Sequence, residues 1–206
     1  MIYLIGAGGH AKVVIELLED SGSEIGGLID NGSNRTVLLN YPIINSFPKH
    51  LDRSLVSIII AVGNNAIRRT ISSEYSDFRC ATALHSRCNI SPRAVIGNGS
   101  VLMAGVSINC DVMIGRHCII NTNSSIDHDC LLSDFVHVSP NCALAGNVTV
   151  GEGSHVGIGA SVIQGVNIGK WATIGAGAVI TQDVPDYAVI VGVPGRIIKY
   201  NKQHEG

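Results

Sequence analysis

From Leu84 to Ile180 every sixth residue is isoleucine, leucine or valine, through Ile90, Ile96, Leu102 and Ile108 onward, without an inserted or missing step. These three types supply 30 of the 102 residues between 84 and 185. Chance would place about five of them on the 17 hexad heads, and all 17 are occupied. The fifth place of each hexad carries a smaller, uncharged residue, among them Cys88, Ala94, Ser100, Cys118, Cys130, Val136, Ala160, Ala172 and Val184. A period of six fits neither the 3.6-residue repeat of an α-helix nor the two-residue alternation of a strand with one wet face. It fits short flat strands wound as three sides of a prism, about 18 residues per coil. Successive coils then rest on one another at about 4.8 Å. Heads and fifth residues fill the interior, and third-place residues project from the corners.

The first 80 or so residues follow another grammar. An apolar strand (Ile2 to Ile5) runs into a glycine turn, an amphipathic helix carrying Val13, Val14, Leu17 and Leu18, and a second strand, Ile25 to Ile29. This is the opening of a Rossmann-like β-α-β unit. Farther on, the pattern predicts a buried strand over Val56 to Val62, a helix over Asn64 to Tyr75 and a last strand over Arg79 to Ala83, with a loop over Asn31 to Asn40. The chain therefore divides into an α/β half-Rossmann domain, 1–83, and an all-β prism with a C-terminal tail, 84–206.

Charge and cysteine usage narrow the function classes. The formal net charge is −2 and no Lys/Arg run exists, which argues against nucleic acid. No apolar run approaches the roughly 18 residues a membrane helix needs, and the N-terminus opens on a strand without a basic leader. Together these predict a cytoplasmic protein without a membrane partner. The six cysteines form no C-x-x-C pair, and Cys88, Cys118, Cys130 and Cys142 fall on the inward fifth place as small core fillers. Cys110, on an outward third place, stays open as a reactive thiol. The outward histidines His117, His128, His137 and His155 include no pair five residues apart, so no catalytic metal is expected.

The turn Gly6-Ala7-Gly8-Gly9-His10-Ala11 lets backbone N–H groups approach a diphosphate at the positive end of the following helix. Alone it is equally a tight turn. Asp30, closing the second strand with Asn31 beside it, adds a carboxylate acceptor for a ribose or base. Together they favour a nucleotide ligand. About 80 residues hold only half of a dinucleotide fold, so a nucleotide-linked sugar fits better than NAD.

The runs Ile96 to Val101 (I-G-N-G-S-V), V-G-E-G-S-H, I-G-K-W-A-T and I-G-A-G-A-V resemble the hexapeptide-repeat acyltransferases. With the G-A-G-G-H turn, Asp30 and the Gly63-Asn64 turn, the whole chain is similar to the PglD-type bacterial nucleotide-sugar N-acetyltransferases, with the sialic acid O-acetyltransferases as close relatives. The resemblance implies a left-handed parallel β-helix and a homotrimer. General chirality rules favour right-handed crossovers, so the left hand rests on the resemblance alone. It further implies acetyl-CoA as co-substrate, no metal, and a nucleotide-linked amino-sugar as acceptor. The acceptor's contacts fall on Gly8, Gly9, His10, Asp30, Asn31, Gly63 and Asn64.

In Ile126-Asp127-His128-Asp129-Cys130 the outward places put an imidazole between two carboxylates. Acyl transfer to an amine needs a group that removes the amine's proton, and an imidazole with an ordinary pKa near 6.5 suits that task near neutrality. A solvated histidine between two aspartates would look the same in composition. The resemblance makes His128 the base and Asp129 its orienting partner, with aspartate where relatives carry glutamate. Counting by 18, Cys110 lies below His128 and Gly146 above it, leaving a ledge for an acyl group and an N–H for the oxyanion. A glycine that merely eases a corner is the alternative.

The resemblance assigns His137 to acetyl-CoA, and the coils above the Gly146 ledge offer the outward Ile158 and Ala176 for the long groove the coenzyme needs. Arg196 follows from Val191-Gly192-Val193-Pro194-Gly195-Arg196, which resembles the family's terminal G-x-P motif. His128 and His137 are half a coil apart and face opposite sides of one chain. A site using both lies between subunits, and a threefold assembly gives three such clefts. Readings left open by the residues are O-acetylation of sialic acid, a covalent route through Cys110, and a non-enzymatic sugar sensor on a scaffold.

Overall fold

The computed structural model describes residues 1–48 and 51–202. The end of the second domain, 203–206, lies outside the described residues. Strand β1 (Ile2–Ile5) leads into helix α1 (Gly9–Asp20), then β2 (Ile25–Ile29), β3 (Val37–Leu38), β4 (Tyr41–Ile44), β5 (Ser57–Ile60), helix α2 (Asn65–Glu74) and β6 (Arg79–Cys80). The six strands form one sheet in the order β3-β4-β2-β1-β5-β6, parallel except for the β3–β4 hairpin. The segment expected as a loop holds β3, because Leu38 is buried and the chain reverses through Leu39 at φ 52°. The strand expected over Arg79 to Ala83 is two strands. Arg79–Cys80 pairs with β5, whereas Ala83–Leu84 already pairs with Val101–Leu102 of the prism.

From Ala83 onward two-residue strands recur every six residues and stack in parallel at intervals of 18, as in Ile119↔His137 and His137↔His155. They make three walls. The first climbs through Ala83, Val101, Ile119, His137, His155 and Thr173, the second through Asn89, Ser107, Ser125, Ala143, Ser161 and Val179, and the third through Val95, Met113, Leu131, Thr149 and Asn167. An antiparallel hairpin of Ala188–Val191 and Arg196–Tyr200 extends the first wall.

Hexad heads and fifth residues form one continuous core from Leu102 to Ile190. Polar members of the fifth place are satisfied inside it. Ser100 Oγ donates to the Gly115 carbonyl at 2.9 Å and accepts from the Cys118 N–H at 2.9 Å, and Ser154 repeats this with Gly169 and Ala172. Cys118, Cys130 and Cys142 are buried free thiols in the same core, while Cys110 is exposed. The two domains share a second core in which Ala83, Val101 and Ile119 pack with Ala11, Val14 and Leu18 of α1. The α/β domain is thereby seated on the lower coils of the first wall, below His137.

Candidate active site

In the α/β domain β2 lies on one side of β1 and β5 on the other. In such sheets the crevice beyond the strand ends at this reversal is where ligands enter. Both glycine turns, Gly6–Gly9 after β1 and Gly63–Asn64 after β5, meet there. Gly6 has φ 103° and an added Cβ would stand 2.8 Å from Val62 Cγ2, so the protein itself requires this glycine. At Gly8, Gly9 and Gly63 an added Cβ meets nothing within 4 Å. Their bareness serves the open space rather than packing. Asp30 ties the crevice together, accepting from the Ala7 N–H at 2.9 Å and the Gly32 N–H at 3.0 Å, with Asn31 exposed beside it. His10 lies in the first turn of α1 with Nε2 buried and unpartnered. Desolvation, aided by the nearby Arg68 charge, lowers its pKa to about 4, so the ring is neutral at pH 7.

The Gly63–Asn64 turn faces the first wall across a cavity of about 390 Å³, lined also by His137, His155, Trp171, Thr173, Asn201 and Lys202. The rings of His137 and His155 stack with centroids 4.7 Å apart, His137 Nε2 lies 3.3 Å from Asn121 Nδ2, and His155 Nε2 lies 2.7 Å from Ser139 Oγ. Burial pushes the His137 pKa down to about 3 and lowers that of His155, giving a neutral imidazole floor. Gly63, Asn64 and His137 are thus together, and the histidine assigned to the coenzyme shares its cavity with a turn assigned to the acceptor.

His128 stands elsewhere, on the corner between the second and third walls, and is half exposed. Its Nδ1 lies 2.8 Å from Asp129 Oδ2. A carboxylate only accepts, so Nδ1 carries the proton and Nε2 is left as the basic atom. Asp129 adopts φ 60°, a left-handed conformation that aspartate tolerates, and this backbone turn lets the short side chain reach its neighbour's ring. On the other side Asp127 Oδ1 accepts from the His128 N–H at 2.8 Å and from Asn109 Nδ2 at 2.6 Å. The hydrogen bond to Asp129 and the charge of Asp127 raise the His128 pKa above its ordinary 6.5. Directly above, the ring rests on Gly146, where an added Cβ would come within 2.6 Å of His128 Cε1.

The second wall beside this corner bears small residues, Ser107, Ser125, Ala143 and Ser161, along a groove of about 470 Å³. Arg196 is exposed in the hairpin beyond the last coil, lining a separate cavity with Ile180, Thr181 and Asp183, and follows Gly195, whose N–H donates to Val179. Ile158 and Ala176 stack on the corner between the first and second walls, with the Gly177 N–H donating to Ile158 at 2.8 Å. Gly146 and the Ile158–Ala176 pair therefore occupy different edges of one prism. The sequence pattern did not single out Arg68, Asn65, Asn201 or Lys202 as neighbours of the cavity, because nothing in their local spacing marks them, whereas Thr173 stands 36 beyond His137 in a column that could be counted. His155 was legible as the residue 18 beyond His137. Among the described residues no helix is long and apolar enough to cross a membrane, and no group of three or more His, Cys, Asp or Glu is placed to hold a metal ion.

The family described as the PglD N-terminal domain matches residues 1–75. Perosamine N-acetyltransferase from Caulobacter crescentus, solved as a mutant in complex with CoA and GDP-perosamine, is 39% identical with a TM-score of 0.92 over 96% of both chains. The acetyltransferase domain of PglB from Neisseria gonorrhoeae is 38% identical, with a TM-score of 0.89 over 96% of this chain and 98% of that one. UDP-N-acetylbacillosamine N-acetyltransferase from Bacillus subtilis is 40% identical over 113 residues, 50% of this chain and 51% of that protein. An uncharacterised protein of Acanthamoeba polyphaga mimivirus is 33% identical over 99 residues, 20% of its own length. The match thus spans about half of the Bacillus protein and a fifth of the viral one. The prism is a left-handed parallel β-helix, as in the structural neighbours.

Proposed function

Because this chain belongs to the PglD-like, hexapeptide-repeat sugar acetyltransferases, we propose that it moves the acetyl group of acetyl-CoA onto the amine of a nucleotide-linked amino-sugar. The acceptor in this reading is a UDP-linked 4-amino-4,6-dideoxyhexose. Its nucleotide lies in the crevice of Gly8, Gly9, His10, Asp30, Asn31, Gly63 and Asn64, where three glycines keep space free for no internal reason. Acetyl-CoA lies along the small-residue second wall beside Gly146, toward Arg196, with Ile158, Ala176 and His137 supplied from other edges.

The carrying observation is the corner where His128 is held by Asp129 and rests on Gly146. The neutral amine attacks the thioester carbonyl while His128 Nε2 takes its proton, and the Gly146 N–H is offered to the oxyanion. Collapse breaks the C–S bond, and the imidazolium returns the proton to the departing thiolate, giving the amide and free CoA. No acyl-enzyme is needed. His128 and the nucleotide crevice lie on different edges, so the complete site takes His128 from one protomer and the crevice from another. A homotrimer with three interfacial clefts satisfies that requirement.

The test is release of free thiol from acetyl-CoA with UDP- and GDP-linked amino-sugars and free sialic acid supplied side by side. Transfer confined to the nucleotide amino-sugars is expected, and acetylation of sialic acid alone would overturn the assignment. His128→Ala should lower kcat by about 10²- to 10⁴-fold, the usual worth of a general base. A loss below tenfold would remove His128 from that role.

A further inference from the structure

His117, Phe135, Gly153 and Trp171 stand one above another at intervals of 18 on the corner facing the α/β domain. Each takes a left-handed conformation, with φ 53°, 61°, 68° and 54°. Their carbonyls form a ladder, and side chains from outside the prism read it rung by rung. Arg68 Nε donates to His117 at 2.8 Å and Nη2 to Phe135 at 2.9 Å, Asn65 Nδ2 donates to Gly153 at 2.9 Å, and Asn201 Nδ2 donates to Trp171 at 3.2 Å.

Arg68 is 1% exposed, on the first turns of α2. Its remaining donors reach back to the turn before the helix. Nη1 donates to the Val62 carbonyl at 3.1 Å and the Gly63 carbonyl at 3.2 Å, and Nη2 also donates to Asn65 Oδ1 at 2.8 Å. All five N–H groups of the guanidinium are spent on neutral acceptors, two of them on the prism and three on α2 and its turn. Burial lowers its pKa only to about 10, so the group remains charged at pH 7.

A buried cation satisfied only by neutral acceptors is a costly way to join two domains that already share an apolar core. The apolar joint, however, specifies height poorly. Each coil presents a similar face one step of about 4.8 Å above the last, and side-chain hydrogen bonds to particular rungs remove that ambiguity. We propose that Arg68 is a positioning residue for the acceptor: by joining Val62 and Gly63 to the His117 and Phe135 rungs, it fixes the Gly63–Asn64 turn over His137 and His155. It touches no substrate. This inference rests on the reading that the turn contacts the nucleotide-linked sugar.

Arg68→Gln, which removes the charge together with the fork, should raise KM for the nucleotide amino-sugar about tenfold or more, because a displacement near 1 Å is enough to lose a built contact. KM for acetyl-CoA and kcat should stay within threefold. Hydrogen exchange at 62–67 should quicken at least tenfold, while Leu4 and Ile120 amides keep their protection. Equal rises in both KM values, or an acceptor KM and exchange rates like those of the wild type, would overturn the proposal. Should Arg68→Gln not fold, Arg68→Lys is judged by the same criteria. If the wild-type protein acetylates no nucleotide amino-sugar, the functional reading fails separately, and exchange with saturating UDP or GDP decides this one. Protection of 62–67 that Arg68→Lys abolishes supports it. No protection in the wild-type protein overturns it even if neither variant folds.

Discussion

Replacing Gly146 by alanine would put a methyl carbon where the His128 ring now lies, 2.6 Å from Cε1 and 2.7 Å from Nε2. Ordinary contact begins near 3.4 Å, so the ring must retreat by roughly 1 Å, and a catalytic group displaced that far typically loses about 10²-fold in rate. The retreat also strains the 2.8 Å hydrogen bond from Nδ1 to Asp129. Stability should barely change, since the clash meets the far end of an exposed side chain rather than backbone. Thiol release under saturating acetyl-CoA is the assay. It should give kcat about 10²-fold below the wild type for Gly146→Ala, with both KM values little altered. The Gly146→Ala/His128→Ala double variant should be no slower than His128→Ala alone, because both changes remove one function. A kcat within threefold of the wild type would refute the ledge reading. A double variant whose losses multiply would show that Gly146 acts through something other than the ring.

Two more predictions concern the same corner and its assembly. In the proposed reaction the neutral ring of His128 is the base, so activity should rise with pH through its pKa, which Asp129 and then Asp127 hold above 6.5. Asp129→Asn removes the larger cause, and the acid limb of the kcat profile should move toward lower pH as the plateau falls; an unmoved limb would remove Asp129 from that role. Val95, Met113 and Leu131 stack as an exposed apolar column on the third wall, at 57%, 54% and 43% exposure. Leu131→Glu should break the assembly and abolish activity with little loss of monomer stability, as read by light scattering and thermal melting; an intact, active oligomer would place the interface elsewhere.

The hexad count located the prism strands because each side turns two residues of every hexad inward, a large aliphatic one at the head and a smaller one at the fifth place. The fourth place carries a further signal: Asp111, Asn123, Asp129, Asn141 and Asn147 all adopt positive φ, and asparagine and aspartate are the non-glycine residues that best tolerate it. That regularity could have been read from the sequence, and it accompanies the turn that brings the Asp129 carboxylate to the His128 ring. The hairpin at Val37–Ile44 was hidden, since strands of two and four residues, occurring once and outside any repeat, leave too little alternation to count. Arg68 was hidden more completely, since its acceptors on the prism are backbone carbonyls and any sequence at those rungs presents the same atom.

Periodicity alone determined that Leu84 to Pro185 winds as a prism, that Cys110, His128 and Gly146 share one column, and that His137 and His155 share another. These follow from counting, because a rigid 18-residue coil converts sequence separation directly into direction and height. Only the tertiary structure decided which wall carries the α/β domain, and hence that His137 and His155 form the floor beneath the Gly63–Asn64 turn. That choice depends on apolar surface meeting across residues as distant as Val14 and Ile119, and on a buried guanidinium selecting two rungs. Neither leaves a local pattern, because each is an agreement between surfaces that become neighbours only after both parts have folded.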